Sequence, residues 1–187
     1  MLSVDDASRE SEVRSNVTFR PIRLTTITLG MLMLACASSS NDVGIQADRL
    51  AIADAIAQYA YQWDAKNAAG FADLFTEDAA FEVEVSGVLV PDARVEGRPA
   101  IYAYAKDSHE GRLAGKQTRH HMTSLVFIAL TDDAATTENM VLVTHQSETD
   151  ATPQPRASGI YRNTWRKTSQ GWKISRRLLL LDRPARR

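Results

Sequence analysis

Residues 45–66, IQADRLAIADAIAQYAYQWDAK, decide how the rest of the chain is read. At about 100° per residue, Leu50, Ile52, Ala53, Ile56, Ala57, Tyr59, Ala60, Tyr61 and Trp63 fall on one broad arc of a helix. Asp54, Gln58 and Gln62 fall opposite, so the stretch predicts a long helix that packs one face on a core. Asn41 and Asp42 stand ahead of it as N-cap residues. Asp64 lies inside the apolar arc, between the directions of Ala60 and Ala57. A buried carboxylate is costly unless it is hydrogen-bonded, so this position demands a partner from elsewhere in the chain.

The sequence that follows supplies the rest of a fold. Residues 68–75 read as a second, short helix ending at Thr76-Glu77-Asp78, and residues 79–85 alternate apolar with acidic as a half-exposed strand does. After the turn region around Pro91 and Gly97, residues 99–113 predict a third helix with Pro99 in its first turn. Residues 117–130, 139–149, 158–167 and 172–181 are rich in β-formers. They are separated by Thr131-Asp132-Asp133, by Pro153 and Pro155, and by Ser169-Gln170-Gly171. Helices first and hairpin-linked strands afterwards make an α+β domain with an antiparallel sheet.

Composition agrees with one ordinary globular domain: 187 residues, 44% hydrophobic and 24% charged. The net charge of −1 hides an acidic first half and a basic second half, which can satisfy each other within one fold. The basic residues Arg162, Arg166, Lys167, Lys173, Arg176 and Arg177 are spread along strands and not clustered with stacking aromatics, so no nucleic-acid partner is expected. No phosphate loop, dinucleotide fingerprint, nucleophile elbow or paired-cysteine zinc pattern occurs, which makes cofactor-independent chemistry the expectation. His120, His145 and Glu148 could be combined into a metal set, but their spacing is not distinctive and no metal is expected.

The N-terminal residues are of another kind. Arg20 and Arg23 precede an apolar run, Leu24 to Ala35, which ends at the single cysteine, Cys36. The run is shorter than the roughly 20 residues that span a bilayer and has the layout of a secretory signal peptide. Met33-Leu34-Ala35-Cys36, followed by small residues, resembles a bacterial lipoprotein box in which Cys36 takes the lipid. Residues 1–41 are therefore expected to be leader and Ser-rich linker, and residues 42–184 the domain. The chain would be exported, periplasmic or tethered to the membrane as a lipoprotein, the alternative being a cytoplasmic protein with a loose tail. With no second cysteine, no internal disulfide can form.

Five stretches together carry a family resemblance: Tyr59-Ala60-Tyr61-Gln62-Trp63-Asp64; Phe71-Ala72-Asp73-Leu74-Phe75-Thr76-Glu77-Asp78; Glu96-Gly97-Arg98-Pro99-Ala100-Ile101; Thr118-Arg119-His120-His121-Met122-Thr123-Ser124; and Tyr161-Arg162-Asn163-Thr164-Trp165-Arg166-Lys167 leading to Gly171-Trp172-Lys173-Ile174. In this order they resemble the SnoaL-like branch of the nuclear-transport-factor-2-like superfamily, over about three quarters of the chain. The resemblance implies a cone-shaped roll: a strongly bent antiparallel sheet wrapped around a long N-terminal helix, with two shorter helices and a pocket at the wide end. That superfamily contains scytalone dehydratase, steroid isomerase, polyketide cyclases and members without catalysis, so the fold alone does not assign a reaction.

Asp64 and His120 fall on positions that resemble the aspartate and a histidine of the scytalone dehydratase active site. A carboxylate beside an imidazole fixes its tautomer, and the ring can then take a proton from carbon and return one to a departing hydroxyl. Strand alternation puts His120 with Met122, Ser124 and Val126 on one face, expected to be inward, and turns His121 away. Tyr61 would polarise a substrate carbonyl. His145, Tyr161 and Asn163 are further candidates for substrate contact, while aromatics such as Trp63, Phe81 and Trp165 fit either a pocket or plain core. The expected function is a dehydratase (a lyase) or isomerase acting on a small, apolar, oxygenated ring compound. The alternative is a non-catalytic ligand-binding or assembly lipoprotein of the cell envelope. Leu125 and Phe127, expected on the outer face of the sheet, point to a homodimer.

Overall fold

In a computed structural model that describes residues 27–182, with side chains from residue 42, helix α1 runs from Ile27 to Asp64. The residues up to Ser40 group apart from those beginning at Asn41, and the following concerns the latter. Residues 1–26, the N-terminal part of the expected leader, lie outside the described residues, as does the side chain of Cys36. Among the described residues no helix is long and apolar enough to cross a membrane.

The inward stripe of α1 is narrower than the sequence arc. Ile52, Ala55, Ile56, Tyr59, Ala60 and Trp63 are buried at helical spacing, whereas Leu50 and Tyr61 are 71% and 74% exposed. The apolar residues outnumber the positions that the sheet can cover, and those at the margins of the arc are left in water. Near the start of the stripe, Asp48 accepts hydrogen bonds from Trp172 Nε1 (2.9 Å) and Lys167 Nζ (2.9 Å), fixing the helix to the last hairpin.

Lys66, with φ of 61°, ends the helical turn, and Asn67 opens α2 (Ala68–Asp73) by accepting a hydrogen bond from Gly70 N on its side chain. This helix is shorter than expected, and Thr76-Glu77-Asp78 is not a turn but part of strand β1 (Phe75–Val85). The reason is tertiary: the carbonyl of Leu74 accepts from Ile174 N, and Phe75, wholly buried, packs against Tyr59 and Phe71. Two short strands follow, β2 (Val88–Leu89) and β3 (Val95–Glu96), both pairing with β1 around a 3₁₀ turn at Pro91–Ala93. Gly97, at φ of 82°, makes the bend into α3 (Arg98–Glu110), a conformation that side-chain-bearing residues resist.

Strands β4 (Gln117–Leu130), β5 (Ala134–Gln146), β6 (Gln154–Thr168) and β7 (Gly171–Leu181) form an antiparallel meander. It returns the chain beside β1 in the same direction, so β1 and β7 pair in parallel. The curved, unclosed sheet, ordered β2-β1-β7-β6-β5-β4, is mixed and not purely antiparallel. Pro155, expected to break the chain, lies within β6 where the register with β5 slips between Val143 and Thr144, the kind of position at which a missing N–H is tolerated.

A β-bulge corrects the reading of β4. Ser124 and Leu125 both stand opposite Asn139, and Ser124 adopts φ of 56°. One extra residue exchanges the two faces of the strand. Thr118, His120 and Met122 turn inward before the bulge, but after it Leu125 and Phe127 pack against the core, with the Arg49 guanidinium 4.1 Å from the Phe127 ring. Val126, at 52% exposure, points outward instead, together with Ile128.

Candidate functional site

The last turn of α1 brings Asp64 against the first residues of β4. Its Oδ1 accepts hydrogen bonds from Thr118 Oγ1 (2.7 Å) and His120 Nδ1 (2.8 Å), and its Oδ2 accepts from the His120 backbone N–H (2.8 Å). The Asp64 and His120 side chains are 10% and 7% exposed, so the partner demanded by a carboxylate on the apolar arc is met. Burial by itself raises the Asp64 carboxyl. The hydrogen bond and charge of His120, with Thr118, outweigh it and hold the group below the usual carboxylate value. An ionised Asp64 places the ring proton on Nδ1 and leaves Nε2 of His120 for a ligand.

The ring of His120 stands edge-on to Tyr59 (centroids 6.2 Å) and Trp63 (6.1 Å). All three belong to the wall of a cavity of about 260 Å³, which Val143, His145, Tyr161 and Leu179 also line. Pairing of Thr118 with His145, and of His120 with Val143, sets both histidines on the same inward face of the sheet. Burial pushes the imidazole of His145 down, and the nearby Arg156, Lys116 and Arg112 push it further, so it is neutral near pH 7. Tyr59 and Tyr161 are raised by burial and keep their phenolic protons.

A second hollow, about 520 Å³, also reaches the pair, lined by Ala60, Tyr61, Asp64, Ala65, Gln117, Arg119 and His120. Although larger, it has fewer groups that converge on a ligand. The inner cavity has the aromatic wall and the second histidine, which are the features of a small-molecule site. Tyr61 lines only the larger hollow, and Asn163 is sealed in the core, donating to Asn139 Oδ1 at 3.3 Å. Tyr61 and Asn163 are thus placed apart from His145 and Tyr161. Among the described residues no three His, Cys, Asp or Glu side chains gather in a way that could hold a metal ion.

Several of these groups carry little or no functional signal in the sequence. Thr118 shares the face of His120 by simple alternation, and Tyr59, assigned to the core arc, is also cavity wall. Arg177 has no sequence signal: it is wholly buried, with its guanidinium 3.4 Å from the Tyr59 ring centroid and 3.9 Å from that of Tyr161. No hydrogen-bond partner reaches its nitrogens among the described residues, and burial lowers its pKa. Two aromatic faces partly offset the cost of burying this cation.

His109, on α3, backs the same wall. It is 7% exposed, with its ring 4.8 Å from that of Trp63, and burial, then Lys66 and Arg112, lower its pKa from 6.5. The folded state therefore holds fewer protons than the unfolded state once the pH falls below about 6.5, and stability declines from there as the pH drops toward the lowered value. His109→Phe is expected to flatten the curve of Tm against pH between pH 5 and pH 7, measured by thermal melts. An unchanged slope would show that His109 does not contribute.

Fold and site together define a class: an α+β roll of the nuclear-transport-factor-2-like type, with an acid–imidazole pair at the wall of a cavity. More narrowly, the chain belongs to the SnoaL-like domain family, whose model matches residues 46–178. Among solved structures it is similar to Rv3472 from Mycobacterium tuberculosis, a protein described as of unknown function. Identity is 28%, 75% of each chain is covered and the TM-score is 0.63. It is also similar to an NTF2-like protein with a cystatin-like fold from Novosphingobium aromaticivorans, at 24% identity over 87% of this chain and 94% of the other, with a TM-score of 0.64. A candidate scytalone dehydratase of the same organism aligns at 22% identity over 76% and 89%, with a TM-score of 0.63. None of the curated proteins matches the sequence.

Proposed function

We propose that this protein is a cofactor-independent dehydratase or isomerase acting on a small, oxygenated ring compound held in the inner cavity. The observation that carries the reading is the threefold hydrogen-bonded Asp64, which holds His120 by Nδ1 at the wall of that cavity. A structural neighbour described as a scytalone dehydratase candidate lends support through the fold. In the proposed reaction, Nε2 of His120 takes a proton from a carbon next to a carbonyl, and the electron pair of that C–H bond becomes the enolate. In dehydration, the enolate expels the β-hydroxyl as His120 returns the proton to it, so water leaves and a C=C bond forms. In isomerisation, the same proton returns to another carbon. The protonated phenols of Tyr59 and Tyr161 and the neutral His145 line the same space and supply donors for the carbonyl oxygen.

A panel of cyclic β-hydroxy ketones, followed by ultraviolet absorbance of the conjugated product, tests the reading. The expected result is turnover by the wild type that disappears in His120→Ala. Turnover that survives in His120→Ala overturns the assignment. Specific binding of panel members without turnover favours a ligand-binding module.

A second copy of the chain is the proposed partner of the outer sheet face. Val126 and Ile128 on β4 (52% and 59% exposed) and Met140 and Leu142 on β5 (55% and 42%) form an apolar stripe there. Val126→Asp with Ile128→Asp is expected to convert a dimer to a monomer in analytical ultracentrifugation. A wild type that is already monomeric removes this partner.

A further inference from the structure

The mouth of the inner cavity is lined by two guanidinium groups, Arg112 from the turn after α3 and Arg156 from β6. Neither has a carboxylate partner among the described residues. Arg112 donates only to neutral oxygens, Tyr104 Oη and Ser108 Oγ, both at 3.2 Å, and Arg156 makes no hydrogen bond there. Lys116, which follows Arg112 closely in the chain, gives its Nζ to the Arg112 carbonyl (3.0 Å). Elsewhere among the described residues Arg94, Arg98, Arg162, Arg166 and Arg176 reach carboxylates, whereas Arg49 and Arg177 lie against aromatic rings and Arg119 donates to the Thr118 carbonyl. What sets Arg112 and Arg156 apart is that both line one cavity.

Two carboxylates face this region, and neither is bonded to a rim cation. Asp150, in the β5–β6 connection, accepts from Ser147 N (2.8 Å) and Ser147 Oγ (2.6 Å), with the charges of Arg156 and Lys116 near enough to help lower its pKa, and Asp64 is held by Thr118 and His120. The histidines on the cavity wall, His120 and His145, add no negative charge. Arg112, Lys116 and Arg156 outnumber these two acids, and a cleft with low-dielectric aromatic walls and an excess of cations at its rim concentrates the field and attracts anions. Guanidinium groups are suited to oxyanions because their N–H donors form a planar fork.

We infer that the compound held in this cavity is an acid, with its ring against Tyr59, Trp63 and Tyr161 and its carboxylate or other oxyanion between Arg112 and Arg156. The inference rests on the reading of the cavity as a small-molecule site and narrows its substrate class. With only about 260 Å³ inside, one or two rings fill the apolar part and leave the charged group at the rim. The rim cations then fix the orientation of the ring relative to His120.

Isothermal titration of the purified full chain with 1-naphthoate and with its neutral amide, 1-naphthamide, tests this. The carboxylate is expected to bind at least tenfold more tightly than the amide, an advantage that shrinks as salt is raised from 50 to 500 mM and falls to within about twofold in Arg112→Gln/Arg156→Gln. Amide binding is expected to be little changed by salt or by the double substitution. Equal affinity of the two probes in the wild type, or an advantage that survives the double substitution, overturns the acid while leaving the cavity reading standing. Failure of both probes to bind at millimolar concentration overturns the cavity reading and this inference together.

Discussion

His120→Ala is expected to lower turnover by at least about a hundredfold, the lower end of what a positioned acid–base group contributes. The loss should appear in kcat with KM little changed, because Nε2 does its work on the proton in flight and not on the resting substrate. Asp64→Asn should produce a loss of similar order by another route. The asparagine NH₂ would turn a donor toward groups that are themselves donors: Thr118 Oγ1, His120 N and His120 Nδ1 all point at the present carboxylate. The ring would then lose both its tautomer and its anchor. Leaving such donors unpaired costs about 1–3 kcal/mol, so a drop of several degrees in Tm accompanies the variant without unfolding it. A His120→Ala or Asp64→Asn enzyme with wild-type kcat would end the catalytic reading.

Phe71→Ala is expected to be the most damaging single core substitution, at about 3–5 kcal/mol in chemical denaturation. Phe71 is 2% exposed, and its ring lies 4.8 Å from Tyr59, 4.9 Å from Trp63 and 5.4 Å from Phe75. These neighbours come from α1 and β1 and cannot close over the space left by a lost ring without moving the cavity wall that Tyr59 and Trp63 form. A domain of this size has about 5–15 kcal/mol of net stability, so the loss is a large fraction of the whole. Affinity for any cavity ligand should fall with it. A loss below about 1 kcal/mol would mean that the aromatic cluster around Phe71 does not hold the domain together.

The candidate site is partly legible in the sequence. Asp64 could be recognised as an inward acid because helical periodicity reports the direction of each side chain, and His120 because strand alternation and a family pattern singled it out. Tyr61 and Leu50 lie on the apolar arc yet stay in water, since helical periodicity does not fix how wide a strip the sheet covers. Simple alternation also puts Leu125 and Phe127 on the outer face, whereas they pack inward. The difference comes from a single residue, Ser124, whose left-handed backbone and extra place in the β4–β5 register depend on the partner strand and leave no local mark. Arg177 looked like one more solvated strand cation, because its burial between two tyrosines is a property of three elements at once.

What the amino-acid sequence determined by itself was the set of local preferences: a long amphipathic helix, a strand-rich second half, and a family pattern extending through both. Tertiary structure alone decided that the end of α1 meets β4, so that Asp64 finds Thr118 and His120 across more than fifty residues of chain. It also decided which cations stay unpaired around the cavity. The physical reason is one of range: backbone and side-chain periodicity act over a few residues, whereas a buried hydrogen bond or an uncompensated charge is defined by whatever the completed fold brings within a few ångströms.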